Sequence, residues 1–567
     1  MDNSSLWIVL QRMRLPFTVI VLSYAIAMIG LVVIPGVDDQ GNIYHFSIFD
    51  AFYFVTYTAT TIGFGEIPYS FTHAQKIWVS ISIYLTVLGW FYGIGTLVSL
   101  LQDKLFLSQI ATARFRRAVK NIKEDFVIVL GYNETTTEII RKMNGSKMRV
   151  VVIEKEQIKA DKLSLEGFIP DVPVLVGDVY NPNSLEYAGI HSIHCKAIIS
   201  LFESNALNMR VTLASKLLNP HIKVAVRSST KEETGNLLDA GADIVENPFS
   251  IISYQIKMGL TAPSLFKLEN WLYQIESLET KTFNIPSQNI IICGYGRLGK
   301  NIHSVLVKLG IIPTVIELDP TNVETATRNG IENLIVGNAE DKFFLKKAGI
   351  EDAKMVLVST NNDTTNLSIV STVKKLNKDC FIITRENELS DFSIFSHAKI
   401  DHIFIPSQIL IHKTTNAIIN PLSDRMIRLI TKQDEAWGSA LLLKLLKQIH
   451  HNPVTFELAI TKQDAYEIYN YLENNQEYDL TLNELRRSRR DRNQYNNILP
   501  LLIVRDNEDI LLPSFSEALK LNDKILFACD ENAKEDIEYI ANNMYEFHYM
   551  IYGEEKNYFT KFIKGNK

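Results

Sequence analysis

Residues 15–34, LPFTVIVLSYAIAMIGLVVI, carry no charge, and twenty residues is the length a helix needs to cross the hydrocarbon core of a bilayer. A second uncharged run covers residues 77–102. Core helices of soluble domains seldom stay charge-free over such lengths, so both runs are read as membrane spans rather than as a cleaved leader or a globular core. Arg12 and Arg14 precede the first run, and Lys104, Arg114, Arg116, Arg117 and Lys120 follow the second, whereas Asp38, Asp39, Asp50 and Glu66 fall between them. The positive-inside bias then predicts cytoplasmic ends and an outward-facing connection, in a cell (inner) membrane.

The connection contains FDAFYFVTYTATTIGFGE. A short apolar helix is expected over residues 49–60, followed by a loop in which Gly63 and Gly65 admit positive φ. Rings of backbone carbonyls from four copies of such a loop replace the hydration shell of potassium (K+), and Thr61 can add its hydroxyl as the innermost ring. Thr58-Ala59-Thr60-Thr61-Ile62-Gly63-Phe64-Gly65-Glu66 resembles the TATTVGYGD signature of two-span potassium channels, with Ile62, Phe64 and Glu66 in place of Val, Tyr and Asp. The resemblance implies a filter of Thr61, Ile62, Gly63, Phe64 and Gly65 in a homotetramer. Phe64 lacks the hydroxyl that ties the family's filter to its pore helix, and Tyr53 and Phe54 stand where two tryptophans often sit.

In the second span, Gly93-Ile94-Gly95-Thr96 is similar to the inner helix of calcium-gated archaeal channels, where the first glycine is the gating hinge. Gly93 is therefore the hinge candidate, with helix packing as its other reading. Leu97 and Leu101, four apart, share a face that either lines an apolar gate or meets lipid.

From residue 125 onward short Val/Ile runs alternate with amphipathic stretches, the pattern of βαβ units around a parallel sheet. The series occurs twice. Gly131 and Gly294 lie 163 residues apart, as do Glu154 and Glu317, and Arg227 and Arg385 lie 158 apart. Together with the pore segment, this tandem resembles the RCK (regulator of potassium conductance, TrkA-like) domains of ligand-gated potassium channels. The expected architecture is a membrane α-helical two-span pore module at 1–103, a linker at 104–124, and cytoplasmic α/β Rossmann-like RCK domains in tandem. These occupy 125–287 and 288–425, with a small α+β terminal lobe at 426–567.

In the second copy Gly294-Tyr295-Gly296-Arg297-Leu298-Gly299 follows an apolar strand and opens a helix. Glycines there permit a tight turn and close approach to a pyrophosphate, whose charge meets the helix N-terminus, and Glu317 ends the next strand where an acid binds ribose hydroxyls. Such a motif can also be a packing turn. Likeness to RCK domains adds Asn338, Thr360 and Arg385 to the adenine and phosphate sides, with NAD or an adenine nucleotide as regulatory ligand. In the first copy, Gly131-Tyr132-Asn133-Glu134-Thr135-Thr136-Thr137 keeps only the first glycine, and no dinucleotide is expected. The family's main calcium ligands map to Ser200, Arg227 and Ser229; that site is not preserved, which leaves a different divalent site, for calcium or another cation, between domains.

Four scattered cysteines, twelve histidines without metal spacing and a net charge of −6 point to neither a zinc site, a disulfide framework nor a nucleic-acid binder. The basic run at Arg486–Arg492 is expected on a solvated loop or helix face. A gated potassium channel, not an enzyme, is the leading expectation; a membrane-anchored nicotinamide oxidoreductase is the alternative from another class, and a secondary potassium transporter requires more spans.

Overall fold

The computed structural model describes residues 3–146, 148–279, 285–387, 392–449, 453–474 and 479–554. Contacts divide the chain into residues 1–121 and 122–567.

The first unit is built on two long helices, α1 (Asn3–Val33) and α3 (His73–Gln102), with stretches of mean hydropathy 2.3 and 1.6. Leu15, Val21 and Ile29 of α1 and Tyr84, Leu88 and Phe91 of α3 point outward, an apolar surface suited to lipid or to other membrane helices. Between them come a hairpin, β1 (Gly36–Val37) and β2 (Ile43–Tyr44), and the short helix α2 (Ile48–Ala59). Ser47 caps α2 by accepting from Asp50 N, and Thr72 with Gln75 forms a capping box on α3, so both helix starts are satisfied by their own residues. Trp78 of α3 donates to Ala27 O at 3.1 Å and lies against Gly30, where no larger side chain fits. Lys104–Lys120 forms helix α4, so the expected linker is mostly helical.

In the second unit, each repeat builds a six-stranded parallel sheet. The first comprises β3 (Phe126–Leu130), β4 (Arg149–Glu154), β5 (Val174–Val176), β6 (Cys195–Ser200), β7 (Lys223–Arg227) and β8 (Ile244–Glu246), in the order β5-β4-β3-β6-β7-β8. The second repeats that order with β9 (Ile290–Cys293), β10 (Thr314–Glu317), β11 (Leu334–Val336), β12 (Met355–Val358), β13 (Phe381–Arg385) and β14 (His402–Phe404). Central strands are apolar along their whole length because both faces are covered. The strand order reverses beside β3 and β9, which places a crevice at their carboxyl ends.

The helices that close each repeat are exchanged. In the first, α6 (Pro248–Thr261) puts Phe249, Ile251, Ile252 and Ile256 into a core with Ile290, Ile292, Leu298 and Ile302 of the second. In the second, α9 (Pro406–Ile419) puts Leu410, Ile411 and Ile418 among Val127, Val129, Ile139 and Ile140 of the first. The sequence repeat divides near 287, but the cores cross that point.

Beyond them, α7 (Pro263–Leu272), α10 (Pro421–Ile430) and α11 (Glu435–Gln448) cover one face of an antiparallel sheet. Its strands β15 (Val454–Ala459), β16 (Ile498–Arg505), β17 (Glu508–Leu511) and β18 (Lys524–Cys529) run in the order β15-β18-β16-β17. The arginine run departs from expectation. Arg486 lies 4.8 Å from the Tyr495 ring and 4.6 Å from the Phe515 ring, Arg489 pairs with Asp536, and Arg492 donates to Met550 O at 2.8 Å and Ile551 O at 2.7 Å. Of these arginines only Arg490 is exposed. Unpaired carbonyls at a helix C-terminus and aromatic faces draw the guanidiniums inward.

The exchange can be read directly: Ile252→Ala, in the first repeat by sequence, removes apolar volume from the second sheet's core at a cost of about 2–5 kcal/mol. Hydrogen exchange should accelerate in β9 and β12 while β3 and β6 keep their protection.

Candidate functional site

Two places in the chain have geometry that ordinary packing does not require. After α2 the backbone reverses: Tyr57 O accepts from Ile62 N at 2.9 Å and Gly63 N at 3.2 Å, tethering the loop to the helix end. Beyond this point φ is positive at every second residue, 61° at Thr61, 67° at Gly63 and 74° at Gly65. In an extended strand with uniform φ, successive carbonyls alternate sides; alternating the sign of φ turns them toward one side. A Cβ on Gly63 or Gly65 would meet nothing within 4 Å, so conformation rather than space calls for glycine. Residues 61–66 are exposed in the single chain.

Hydroxyls of α2 hold the far end of this loop. Tyr57 Oη donates to Glu66 O at 2.7 Å and Tyr53 Oη to the Glu66 carboxylate at 3.0 Å, while the Phe64 ring meets Tyr57 edge-on at 6.1 Å. The tie that Phe64 cannot make is thus supplied from the helix side, by tyrosines whose hydroxyls sequence reasoning left without a role. On α3, Gly89 and Gly93 face α1, where added Cβ atoms would come within 3.0 Å of Ser23 Oγ and 2.7 Å of Ile20 Cδ1. Small residues four apart let two membrane helices approach closely. Leu97 is 42% exposed, and Leu101, on the same helix, has its side chain outside the described residues.

The second place is a cleft of about 540 Å³ at the carboxyl ends of β9, β10 and β12. Gly294, Gly296, Glu317, Asn338 and Thr360 line it. Gly294 has φ of 99°, and a Cβ on Gly299 would lie 2.1 Å from Gly294 O, so the first turn of helix α8 (Arg297–Lys308) presses on the loop. Gly296 is the N-cap, offers no side-chain bond, and has open space where its Cβ would be. The N–H groups of that first turn therefore face the cleft without a cap, an arrangement that accepts an anion.

Glu317, 7% exposed, accepts from Tyr295 N at 2.5 Å and from Leu318 N and Asp319 N at 2.7 Å each. Its counterpart Glu154 accepts from Tyr132 N at 2.6 Å, so bracing the glycine loop is common to both repeats. Tyr295 and Leu298 turn into the core and do not reach the cleft. Arg297 and Arg385 stand beside it, their guanidinium carbons 4.6 and 5.2 Å from the Phe249 ring centre, and Arg385 donates to Asn361 Oδ1 at 2.9 Å. Burial first, and then the charge of Arg297, push the Arg385 guanidinium down to about 10 and Arg227 in the same direction. Three guanidiniums, Arg227, Arg297 and Arg385, thus stand on this side with Glu203 and Asp363 among them.

Residues not foreseen include Asp319, Asn322, Asn361 and Thr365 on the walls. Asn366 holds Thr360 Oγ1 at 2.6 Å and donates to Arg385 O at 2.9 Å. Asn208 donates to Arg227 O in the first repeat at 2.8 Å, so the offset of 158 that aligned the arginines would have found this pair.

The first repeat has filled the same place with its own side chains. The Phe202 ring lies over Gly131, 2.6 Å from where a Cβ would stand, and Asn133 with Thr136 forms a capping box on helix α5 (Glu134–Gly145). Ser200 Oγ donates to Asn208 and Arg227 pairs with Glu203 at 3.2 Å. Among the described residues no group of three or more His, Cys, Asp or Glu side chains converges as a metal site.

Comparison with known proteins follows the same division. Residues 14–103 match the family model described as an ion channel, and residues 127–248 and 290–406 match that of the TrkA-N domain. An uncharacterized protein of Methanothermus fervidus is 30% identical over 226 residues, 40% of this chain and 34% of that protein, so the match spans about a third of its length. Potassium channel protein 1 of Methanocaldococcus jannaschii is 24% identical over 281 residues, 49% of this chain and 80% of its own. The GsuK channel superposes with a TM-score of 0.50 at 16% identity, covering 97% of this chain and 100% of that one. The GsuK channel bound to NAD gives 0.50 at 14%, covering 94% and 99%. At these identities the likeness is one of fold.

The loop's steric demands separate its glycines. Gly299→Ala forces a Cβ onto Gly294 O and should lower stability by about 1–3 kcal/mol, whereas Gly296→Ala should be close to neutral, as read from melting temperatures of the purified protein.

Proposed function

Since its ion-channel and TrkA-N domains make the chain a member of the potassium channels with RCK domains, we propose that four copies form a potassium-selective pore opened or closed by a nucleotide bound in the second repeat. The observation that carries the reading is the loop from Thr61 to Gly65, whose alternating φ turns consecutive carbonyls to one side between two membrane-length helices. One such loop cannot enclose an ion. Four copies around an axis can, which argues for a homotetramer, and the basic residues flanking the two helices argue for cytoplasmic termini. In this reading Thr61, Ile62, Gly63, Phe64 and Gly65 are the filter, and the Tyr53 and Tyr57 hydroxyls restrain it through Glu66.

The cleft supports a ligand with a pyrophosphate and a ribose. Uncapped N–H groups at Arg297–Gly299 and the adjacent arginines suit the phosphates, and Glu317 keeps lone-pair capacity beyond its three backbone bonds for a ribose hydroxyl. NAD or an adenine nucleotide fits that description. Binding shifts gating only through different affinities for open and closed arrangements. An oxidoreductase would need a proton donor or acceptor poised at the nicotinamide, whereas the walls offer mainly amides, hydroxyls and carboxylates engaged in local bonds.

Reconstituted in liposomes, the protein should pass potassium down either gradient, exclude sodium and consume no nicotinamide; sodium flux equal to potassium flux would exclude the filter assignment. Gly296→Val places a branched side chain in the phosphate path where nothing of the protein stands, so nucleotide binding by calorimetry should be lost with the melting temperature unchanged. Glu317→Ala also removes the loop's brace and should lower both. At the proposed gate, with Gly93 as hinge and Leu97 and Leu101 as its apolar ring, Leu97→Asp should raise open probability severalfold in single-channel records, because a charged constriction stays hydrated.

A further inference from the structure

Where the closing helices of the first repeat meet the edge strand of the second lies a cavity of about 180 Å³, apart from the nucleotide cleft. Gln255 of α6, Asn270 of α7 and Glu276 just beyond it form one wall, and His402 of β14 and His412 of α9 stand on the other. Gln255 and Asn270 are each 3% exposed. Asn270 Oδ1 has no hydrogen-bond partner. Leaving a buried amide oxygen unpaired costs about 1–3 kcal/mol, so one that lines a cavity demands an explanation.

The internal repeat provides a control. Shifted by 158 residues, Gln255 corresponds to Lys413, Asn270 to Arg428, Phe266 to Asp424 and Phe404 to Glu246. At that related position charged side chains pair: Lys413 lies 3.4 Å from Glu269, Arg428 pairs with Asp424 at 2.8 Å, and Glu246 lies among the same charges. In the cavity the two cations have become the amides Gln255 and Asn270, and Asp424 and Glu246 have become Phe266 and Phe404. The positive groups that complete the related site are missing from this lining, and acceptors remain.

Those acceptors define a class of ligand. Asn270 offers its orphaned oxygen and Glu276 a carboxylate, whose field also reaches Lys267. Burial pushes His402 and His412 down to about 4, His412 further assisted by the Lys142 ammonium, so each imidazole is neutral near pH 7 and adds no positive charge to the lining. Lys142 touches His412 at 2.7 Å without lining the cavity, and burial lowers it to about 8. A volume of 180 Å³ equals that of about six waters, room for a molecule of about as many non-hydrogen atoms.

We propose that this cavity binds a small molecule carrying a primary ammonium group, held by Asn270, Glu276 and Gln255 and bridging the two repeats. The full chain, purified in detergent, is titrated calorimetrically with 1,4-diaminobutane, with alanine, and with 1,4-butanediol as the uncharged control. Saturable binding of either ammonium compound, weakened at least tenfold by Glu276→Gln and by Asn270→Leu, is expected; the first substitution keeps the shape of the wall, so its result stands even if the second disturbs folding. Binding by the diamine but not alanine assigns a simple amine, and binding by alanine assigns an amino acid. Equal binding of butanediol, no binding by either ammonium compound, or unchanged affinity in Glu276→Gln would overturn the proposal.

Discussion

Neither parallel sheet can cover itself. Each has an apolar face that its own helices share with the other repeat's closing helix, with α6 seated on β9 and its neighbours and α9 on the core around β3. Because burial of this kind contributes roughly 25 cal/mol per Å², separating the repeats would expose both cores at once. Everything placed at the junction inherits that rigidity: Phe249, buried by the exchange, is the surface on which Arg297 and Arg385 rest. Trp271, on the next helix, ties the same junction to the terminal lobe by donating to Pro453 O.

On this shared frame the two repeats have diverged in their loops while keeping their strands. Glu154 and Glu317 both brace a glycine turn, and Asn208 and Asn366 both hold the arginine strand. The difference lies in a few side chains at the helix start. Asn133 and Thr136 satisfy their own N–H groups, whereas Gly296 and Gly299 leave theirs to the cleft. An acid conserved in geometry between a filled and an open loop is first a structural group, and any contact with a ribose is added to that task.

Much of this was legible in the chain. Charge-free runs gave the membrane helices, the offsets of 163 and 158 gave the duplication, and the switch from bare to substituted loop separated the repeats. What escaped depends on contacts distant in sequence. No local pattern says that α6 and α9 trade places, because each is apolar enough to pack on either sheet. The arginine run read as solvated since its partners, Phe515, Asp536 and the carbonyls at Met550 and Ile551, lie up to about sixty residues away along a chain whose packing is not periodic. Likewise Tyr53 and Tyr57 read as part of an apolar helix, and only the fold brings their hydroxyls onto Glu66.

The Phe202 ring over Gly131 sets an upper bound on how sharply such an assembly can respond. With one cleft closed by the chain's own side chain, each chain offers one open cleft of this kind although it carries two Rossmann-type folds. The steepness of a concentration response cannot exceed the number of sites, so under the proposed function the Hill coefficient would be limited by the number of chains and not by the number of Rossmann lobes. The duplication has thus set beside the lobe with the open cleft a partner whose own cleft is filled.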